Sequence, residues 1–434
     1  MNTSSNQLAS GANWTPVRIP RILIAILFCL IFLLALAGLP FDIPYVGCGV
    51  ASAFIFQVVV RPRRAEILGV LAGAAALILF DRFVVHHSTP HSGFQVGACL
   101  GFLGLVSFLV LALCAIWAKS DERKQLQSIL IPAAGFAFFV LGTSKLLNLA
   151  SLIFPKTMDV YAYCFDASLG FQPSFVVGKW FQDYALVGML GRGFYYALPA
   201  AMALAYAAYL RVKKNTPLFL LEVFMAAGLL GYFLYLAFPA AGPVYLVGPH
   251  FPGSPIPFST LRSLVSRGME PRMVLMSQEV CRNAMPSLHM AWALLMAFNC
   301  RPFPRWVRAL AYFFVFTTFL GTLGTGEHYL IDLVVAFPFS VAVQALCTRS
   351  LPLKSPARLV PLVGGSALTV VWFIVLRFGT RVFFAWTPLV PWVCIAATLV
   401  PTFLWMRQIL AIENGQRQVH CTGKLAHAVG AGVP

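Results

Sequence analysis

Residues 326–347, Gly-Glu-His-Tyr-Leu-Ile-Asp-Leu-Val-Val-Ala-Phe-Pro-Phe-Ser-Val-Ala-Val-Gln-Ala-Leu-Cys, put a histidine and an aspartate at the mouth of an apolar run. From residue 328 that run is long enough to cross a bilayer, which takes about 20 residues in a helix. Upstream, residues 284–292 read Ala-Met-Pro-Ser-Leu-His-Met-Ala-Trp, so a second histidine opens a second apolar run. Two histidines and an aspartate at the mouths of hydrophobic segments point to chemistry at a membrane surface.

The rest of the chain has the same character. Of 434 residues, 59% are hydrophobic and 10% charged, and mean hydropathy is +0.81. That composition excludes an ordinary soluble domain. The fold class expected is an all-α polytopic membrane protein. About twelve transmembrane helices are predicted, near 22–40, 44–60, 65–80, 96–117, 128–152, 194–212, 217–238, 287–300, 306–324, 328–347, 359–377 and 388–406. The apolar runs are too long and continuous for the alternation of a membrane barrel.

The net charge of +17 is spread through loops and does not form a nucleic-acid-binding domain. It orients the chain instead. With a cytoplasmic N-terminus, alternate loops carry Arg61/Arg63/Arg64, Lys119/Arg123/Lys124, Arg211/Lys213/Lys214, Arg301/Arg305/Arg308 and Arg349/Lys354/Arg358, as the positive-inside rule expects. Both termini are then cytoplasmic. The long connections 153–193 and 239–286, and the mouths holding His289 and His328, face outward. The localisation expected is a bacterial inner membrane with a periplasmic site. Cys164 and Cys281 fall in those two connections, where oxidation can occur, and a disulfide between them is an expectation. Most of the other cysteines, such as Cys29, Cys48, Cys99, Cys114 and Cys394, read as small apolar helix residues, and no metal-ligand spacing is present.

Charge runs at 119–124 and 349–358 divide the chain. Residues 1–118 form a four-helix membrane block, 128–347 a six-helix core, 359–410 two further helices and 411–434 a cytoplasmic tail. Chemistry belongs to the core. Asp332 lies four residues after His328, so in a helix its carboxylate shares a face with the imidazole and can accept a ring N–H. The other ring nitrogen is left as a basic lone pair suited to a nucleophile. His289 in its protonated state would donate to a leaving oxygen. Pro286 suits the first turn of the helix it opens, whose free N–H groups favour an anion. Ser287 caps that helix or holds a phosphate oxygen, and Arg282 is a candidate bidentate clamp on the same anion.

The pattern Pro-Ser-x-His followed by Gly-x-His-x-x-x-Asp resembles the type 2 phosphatidic acid phosphatase (PAP2) superfamily of six-helix lipid phosphatases and phosphotransferases. The resemblance implies His328 as a nucleophile forming a phosphohistidine, Asp332 as its orienting partner and His289 as acid for the leaving alcohol. It implies no metal and no cofactor. The superfamily's first motif, Lys-x6-Arg-Pro, is absent, and Gly321-Thr322 stands where the third motif has Ser-Arg. In place of the first motif, residues 231–245 resemble the branch of inositol phosphorylceramide synthases, which pass a phospho-headgroup from a phospholipid to a ceramide.

Partners follow from that likeness: a phospholipid donor and a lipid or water acceptor, with no nucleic acid. Lys145, in the outer half of its span, is a substitute cation or a lysine that merely reaches the headgroups. Tyr245 is a further candidate for substrate binding. Tyr163, Asp166, Lys179 and Trp180 read as an interfacial segment. His86, His87 and His91 read as surface histidines, and Glu222 as a snorkelling residue. The rival of another class is a lipid transporter or scaffold, but no internal repeat with paired broken helices supports it.

Overall fold

Apolar runs in a hydrocarbon surrounding must satisfy every backbone N–H and C=O within themselves, and helices do this. The computed structural model describes residues 43–81, 83, 92–212 and 219–430. The expected span at 22–40 and the cluster His86, His87 and His91 lie outside the described residues. Among the described residues, seven helices are long and apolar enough to cross a membrane. The protein is an all-α polytopic membrane protein.

The front of the chain forms α1 (Ile43–Val50), α2 (Ser52–Val60), α3 (Arg64–Phe80) and α4 (Ser92–Trp117). Ala51 between α1 and α2 keeps helical dihedrals, φ −60° and ψ −12°, and accepts from Ile55 N–H, so within the span expected at 44–60, Val46–Val60 is a short apolar helix. Of these helices, α1, α2 and α4 pack on α5 (Ser120–Ile153), α1 and α2 also on α9 (Leu198–Val212), and α3 packs on α4. The contact is aromatic: Phe56 of α2 meets Phe136 edge-on at 5.7 Å and Tyr206 at 5.6 Å. Such pairs add about 0.5–1.5 kcal/mol each beyond area burial. Close approach is also enforced at Gly104, where a Cβ would stand 2.0 Å from the Val50 carbonyl oxygen.

The first long connection is mostly helical. It holds β1 (Lys156–Thr157), α6 (Asp159–Ser168), α7 (Pro173–Asp183) and α8 (Ala185–Tyr196). The interfacial expectation fails for α6, in which Asp159 and Ala162 to Ser168 are all buried. Tyr163 is buried against Phe175, and its hydroxyl oxygen accepts from Ile256 N–H at 2.9 Å. Lys179 and Trp180 of α7 are exposed, and Lys179 pairs with Asp183 at 3.1 Å.

After α10 (Phe219–Ala237) the second connection carries α11 (Pro243–Val247), a 3-10 turn at Gly248–His250, α12 (Phe258–Ser266) and β2 (Val274–Leu275). The remaining helices are α13 (Leu288–Asn299), α14 (Arg305–Gly324), α15 (Leu330–Cys347), α16 (Pro356–Phe378), α17 (Thr380–Ala385) and α18 (Leu389–Gly430). The last helix continues through residues expected to form a tail, because its register is unbroken to Gly430.

The centre is α15, enclosed by α6, α10, α13, α16 and α18. At one end Glu222, expected to snorkel, pairs with Arg349 at 3.1 Å. Arg358 there donates to the carbonyls of Ala345, Leu346 and Leu351 and so caps the end of α15. The opposite end holds His328.

The two long connections are joined there by an antiparallel ladder, Lys156 opposite Leu275 and Thr157 opposite Val274. No disulfide joins Cys164 to Cys281. The ladder ties the connections where the disulfide was expected to. Burial pushes the Cys164 thiol up to about 12. A thiol-directed maleimide on native protein is expected to label Cys281 in preference to Cys164, and adding reductant should change neither signal. Labelling of Cys164 that appears only after reduction would restore the disulfide.

Candidate active site

The site is assembled at the starts of α13 and α15. Ser287 is the N-cap of α13, with φ −65° and ψ 109°, and its Oγ accepts from Met290 N–H at 3.3 Å. Pro286 therefore precedes the cap, outside the first helical turn where the sequence suggested it. Since α13 has 12 residues, it is about 18 Å long against about 30 Å of hydrocarbon. This short helix carries Ser287 and His289 to the place where α15 begins.

At α15, Asp332 reaches back to cap its own helix, accepting from Tyr329 N–H at 2.8 Å. Its backbone carbonyl accepts from Ser287 N–H at 3.1 Å, which locks the two helix starts together.

His328 lies between them, buried. Its Nδ1 is 2.9 Å from the Ala284 carbonyl oxygen and 3.5 Å from Asp332 Oδ2. A carbonyl only accepts, so Nδ1 carries the proton and Nε2 keeps a lone pair. The tautomer is the one expected, but the nearer partner is a backbone carbonyl. Asp332 Oδ2 is already engaged by the Tyr329 amide and stands second to the ring. Ser287 Oγ lies 3.2 Å from Nε2 and donates to it. Ser287 thus caps the helix, the first of the two roles expected of it, and its hydroxyl also lies at His328 Nε2.

His289 is 6.0 Å from His328 between ring centroids, at 67°. Its ring stacks on Tyr195 of α8 at 4.0 Å and 18°.

Two buried carboxylates of α6 hold this arrangement from behind. Asp166 accepts from Leu330 N–H at 2.7 Å and Ile331 N–H at 3.3 Å, at the positive start of α15. Asp159 accepts from Ala241 N–H at 3.1 Å, Gly242 N–H at 2.8 Å and the Tyr329 hydroxyl at 3.1 Å. Burial pushes both carboxyls upward, Asp166 well above the ordinary range, and the donated N–H groups oppose this. Ser174 Oγ adds a bond of 2.7 Å to the His328 carbonyl oxygen.

Arg282 departs from the expected clamp. Its guanidinium is buried and donates to the carbonyls of Phe154 and Met276, each at 3.0 Å, and to those of Ser277 and Val280. Nε ties Arg282 to the first connection while Nη1 and Nη2 brace its own, so the buried guanidinium stabilises the frame. At Gly321-Thr322, a Cβ on Gly321 would stand 2.8 Å from the Gly191 carbonyl oxygen, and Thr322 is buried. Close packing of α14 on α8 leaves no room there for an arginine. Lys145 lies in α5, and its side chain is outside the described residues. Tyr245 is 37% exposed, its hydroxyl donating to Glu327 Oε1 at 3.2 Å.

Tyr195, Asp159, the Ala284 carbonyl, Ser174 and Glu327 were not legible as site residues. For Asp159 a signal existed: only 14 of 434 residues are acidic, so a carboxylate between apolar runs is uncommon enough to ask what it binds. Among the described residues no group of His, Cys, Asp and Glu is arranged to hold a metal ion.

No curated protein and no solved structure matches the chain. The model of one family does: residues 162–346 match the PAP2 superfamily, a stretch that contains Asp166, Tyr195, Ser287, His289, His328 and Asp332.

Proposed function

We propose that the protein is a membrane lipid phosphotransferase that works through a phosphohistidine on His328. The observation that carries this is the state of His328. Its Nδ1 proton is held by the Ala284 carbonyl at 2.9 Å, and Nε2 is presented beside Ser287 at the start of α13. In the first step Nε2 attacks phosphorus, and the bond from phosphorus to the leaving oxygen breaks as His289 supplies that oxygen's proton. The imidazole becomes cationic on phosphorylation, and Asp332 at 3.5 Å offsets the charge. In the second step His289 takes the proton of an acceptor hydroxyl, whose oxygen attacks phosphorus and frees the ring.

The start of α13 supplies N–H groups and a positive dipole end for the phosphoryl oxygens. Burial of His328, 1% exposed, favours a lipid hydroxyl over water as acceptor, since a closed site limits hydrolysis. The likeness of 231–245 to inositol phosphorylceramide synthases supports the same choice, and the charge pattern of the loops supports an extracytoplasmic site.

The test is incubation in lipid nanodiscs with phosphate-labelled and headgroup-labelled phospholipid, with and without ceramide or diacylglycerol, trapping acid-labile protein-bound phosphate. Label on His328 and then on the acceptor lipid is the expected result. Free phosphate alone would make the protein a lipid phosphatase. No protein-bound label with any donor would sink the phosphohistidine reading.

A further inference from the structure

We propose that Tyr195 is a positioning residue for His289: its ring, stacked on the imidazole, fixes the plane in which His289 gives and takes its proton. The proposal rests on the phosphoryl-transfer reading in which His289 is the acid, and it names the group that holds that acid in place.

The two rings lie 4.0 Å apart between centroids and within 18° of parallel, and Tyr195 is buried. Both nitrogens of an imidazole lie in the ring plane and carry their hydrogen or lone pair along it. A parallel face therefore confines proton transfer to directions in that plane, which the His328 ring meets at 67° with its centroid 6.0 Å away. The face also acts by charge. An aromatic ring attracts a cation within about 6 Å of its centroid, more strongly where water is excluded, so the stack suits the cationic imidazole that the first step requires.

Tyr195 is seated by the fit of three helices. Phe181 of α7 is buried between α8 and α14: a Cβ on Gly191 would stand 2.1 Å from its Cζ, and one on Gly324 2.4 Å from its Cε2. A Cβ on Gly321 would stand 2.8 Å from the Gly191 carbonyl oxygen and 3.4 Å from Tyr195 Cβ. Bare backbone at these positions lets α8 close on α14, and Tyr195, one turn after Gly191, is carried with it. Gly321, which stands where the superfamily's third motif has serine, is thus part of the seat of Tyr195.

The experiment measures kcat and KM in nanodiscs for phosphatidylinositol, whose diacylglycerol is a poor leaving group, and for p-nitrophenyl phosphate, whose leaving group needs little protonation. Tyr195→Leu should lower kcat for phosphatidylinositol about 10²-fold with KM within about threefold of wild type, and should lower kcat for the nitrophenyl donor less than about threefold. Tyr195→Phe keeps the face and should retain at least about a third of the wild-type kcat. In a His289→Ala background Tyr195→Leu should cost less than about threefold, because a residue that acts through His289 loses its effect with it. Gly321→Ala leaves both rings intact but crowds α8, and should show the same leaving-group pattern at about tenfold, even where the leucine variant does not fold. Read without any donor, the His289 ring protons, assigned by their loss in His289→Gln, should carry the ring-current shift of Tyr195 in the wild type and Tyr195→Phe and lose it in Tyr195→Leu. That readout supports or overturns the seat even where no donor turns over and the reaction reading fails. Equal losses with both donors, a phenylalanine variant as impaired as leucine, an undiminished effect in the His289→Ala background, or His289 protons unmoved in Tyr195→Leu overturn the proposal.

Discussion

His328→Ala should lose turnover by at least about 10⁴-fold, the scale seen when a covalent nucleophile is removed, and should carry no protein-bound phosphate. On the proposed reading the ring supplies the attacking lone pair, with Ser287 Oγ 3.2 Å from Nε2. Fold should survive. The loss is the bond to the Ala284 carbonyl, the bond from Ser287 Oγ and the contact with Asp332, at about 1–3 kcal/mol for each buried group left unpaired. The variant should therefore keep a cooperative thermal transition in nanodiscs while phosphate transfer disappears. Residual transfer within tenfold of wild type would exclude His328 as nucleophile. His289→Ala should be less severe with donors whose leaving group needs little protonation, which separates an acid from a nucleophile.

Asp159→Ala should be the most destabilising single substitution around the site. Its carboxylate is fully buried and gathers Ala241 N–H, Gly242 N–H and the Tyr329 hydroxyl. Removing it strands three buried donors, and with each costing about 1–3 kcal/mol the loss comes to about 3–5 kcal/mol after partial relaxation. Asp159→Asn keeps one acceptor oxygen and should recover part of the stability. Thermal unfolding of the three proteins in one detergent, read by intrinsic fluorescence, checks the order wild type, Asn, Ala. A transition in the alanine variant within about 1 °C of wild type would mean that the donors find other partners, since 1 kcal/mol moves Tm by several degrees even in a small domain.

Asp166 shows how far a sequence reading reaches. Tyr163 and Asp166, with the stretch to Lys179 and Trp180, have the aromatic and charged mixture of a segment lying on a membrane surface, and Tyr163 and Asp166 belong to α6. In the structure they run beneath the start of α15, and Asp166 caps it. Nothing local distinguishes the two cases, because a carboxylate that meets water and one that meets a helix start sit in the same kind of sequence. Arg282 was misjudged for the same reason. An arginine before a phosphate-binding helix start suits a clamp, and only the meeting of Phe154, Met276, Ser277 and Val280 shows its fork already filled.

Sequence alone determined the helical membrane class, and it picked out Ser287, His289, His328 and Asp332, which the structure brings together at the starts of α13 and α15. These depend on properties carried along the chain: hydrophobic run length, and spacings of three or four residues that a helix places on one face. Tertiary structure decided which acceptor holds the His328 proton, which ring supports His289, and which charges serve the frame instead of the substrate. Each of those depends on a backbone group or ring from a distant segment. The free energy of a buried polar side chain is set by the partners it meets, and those are absent until the segments come together.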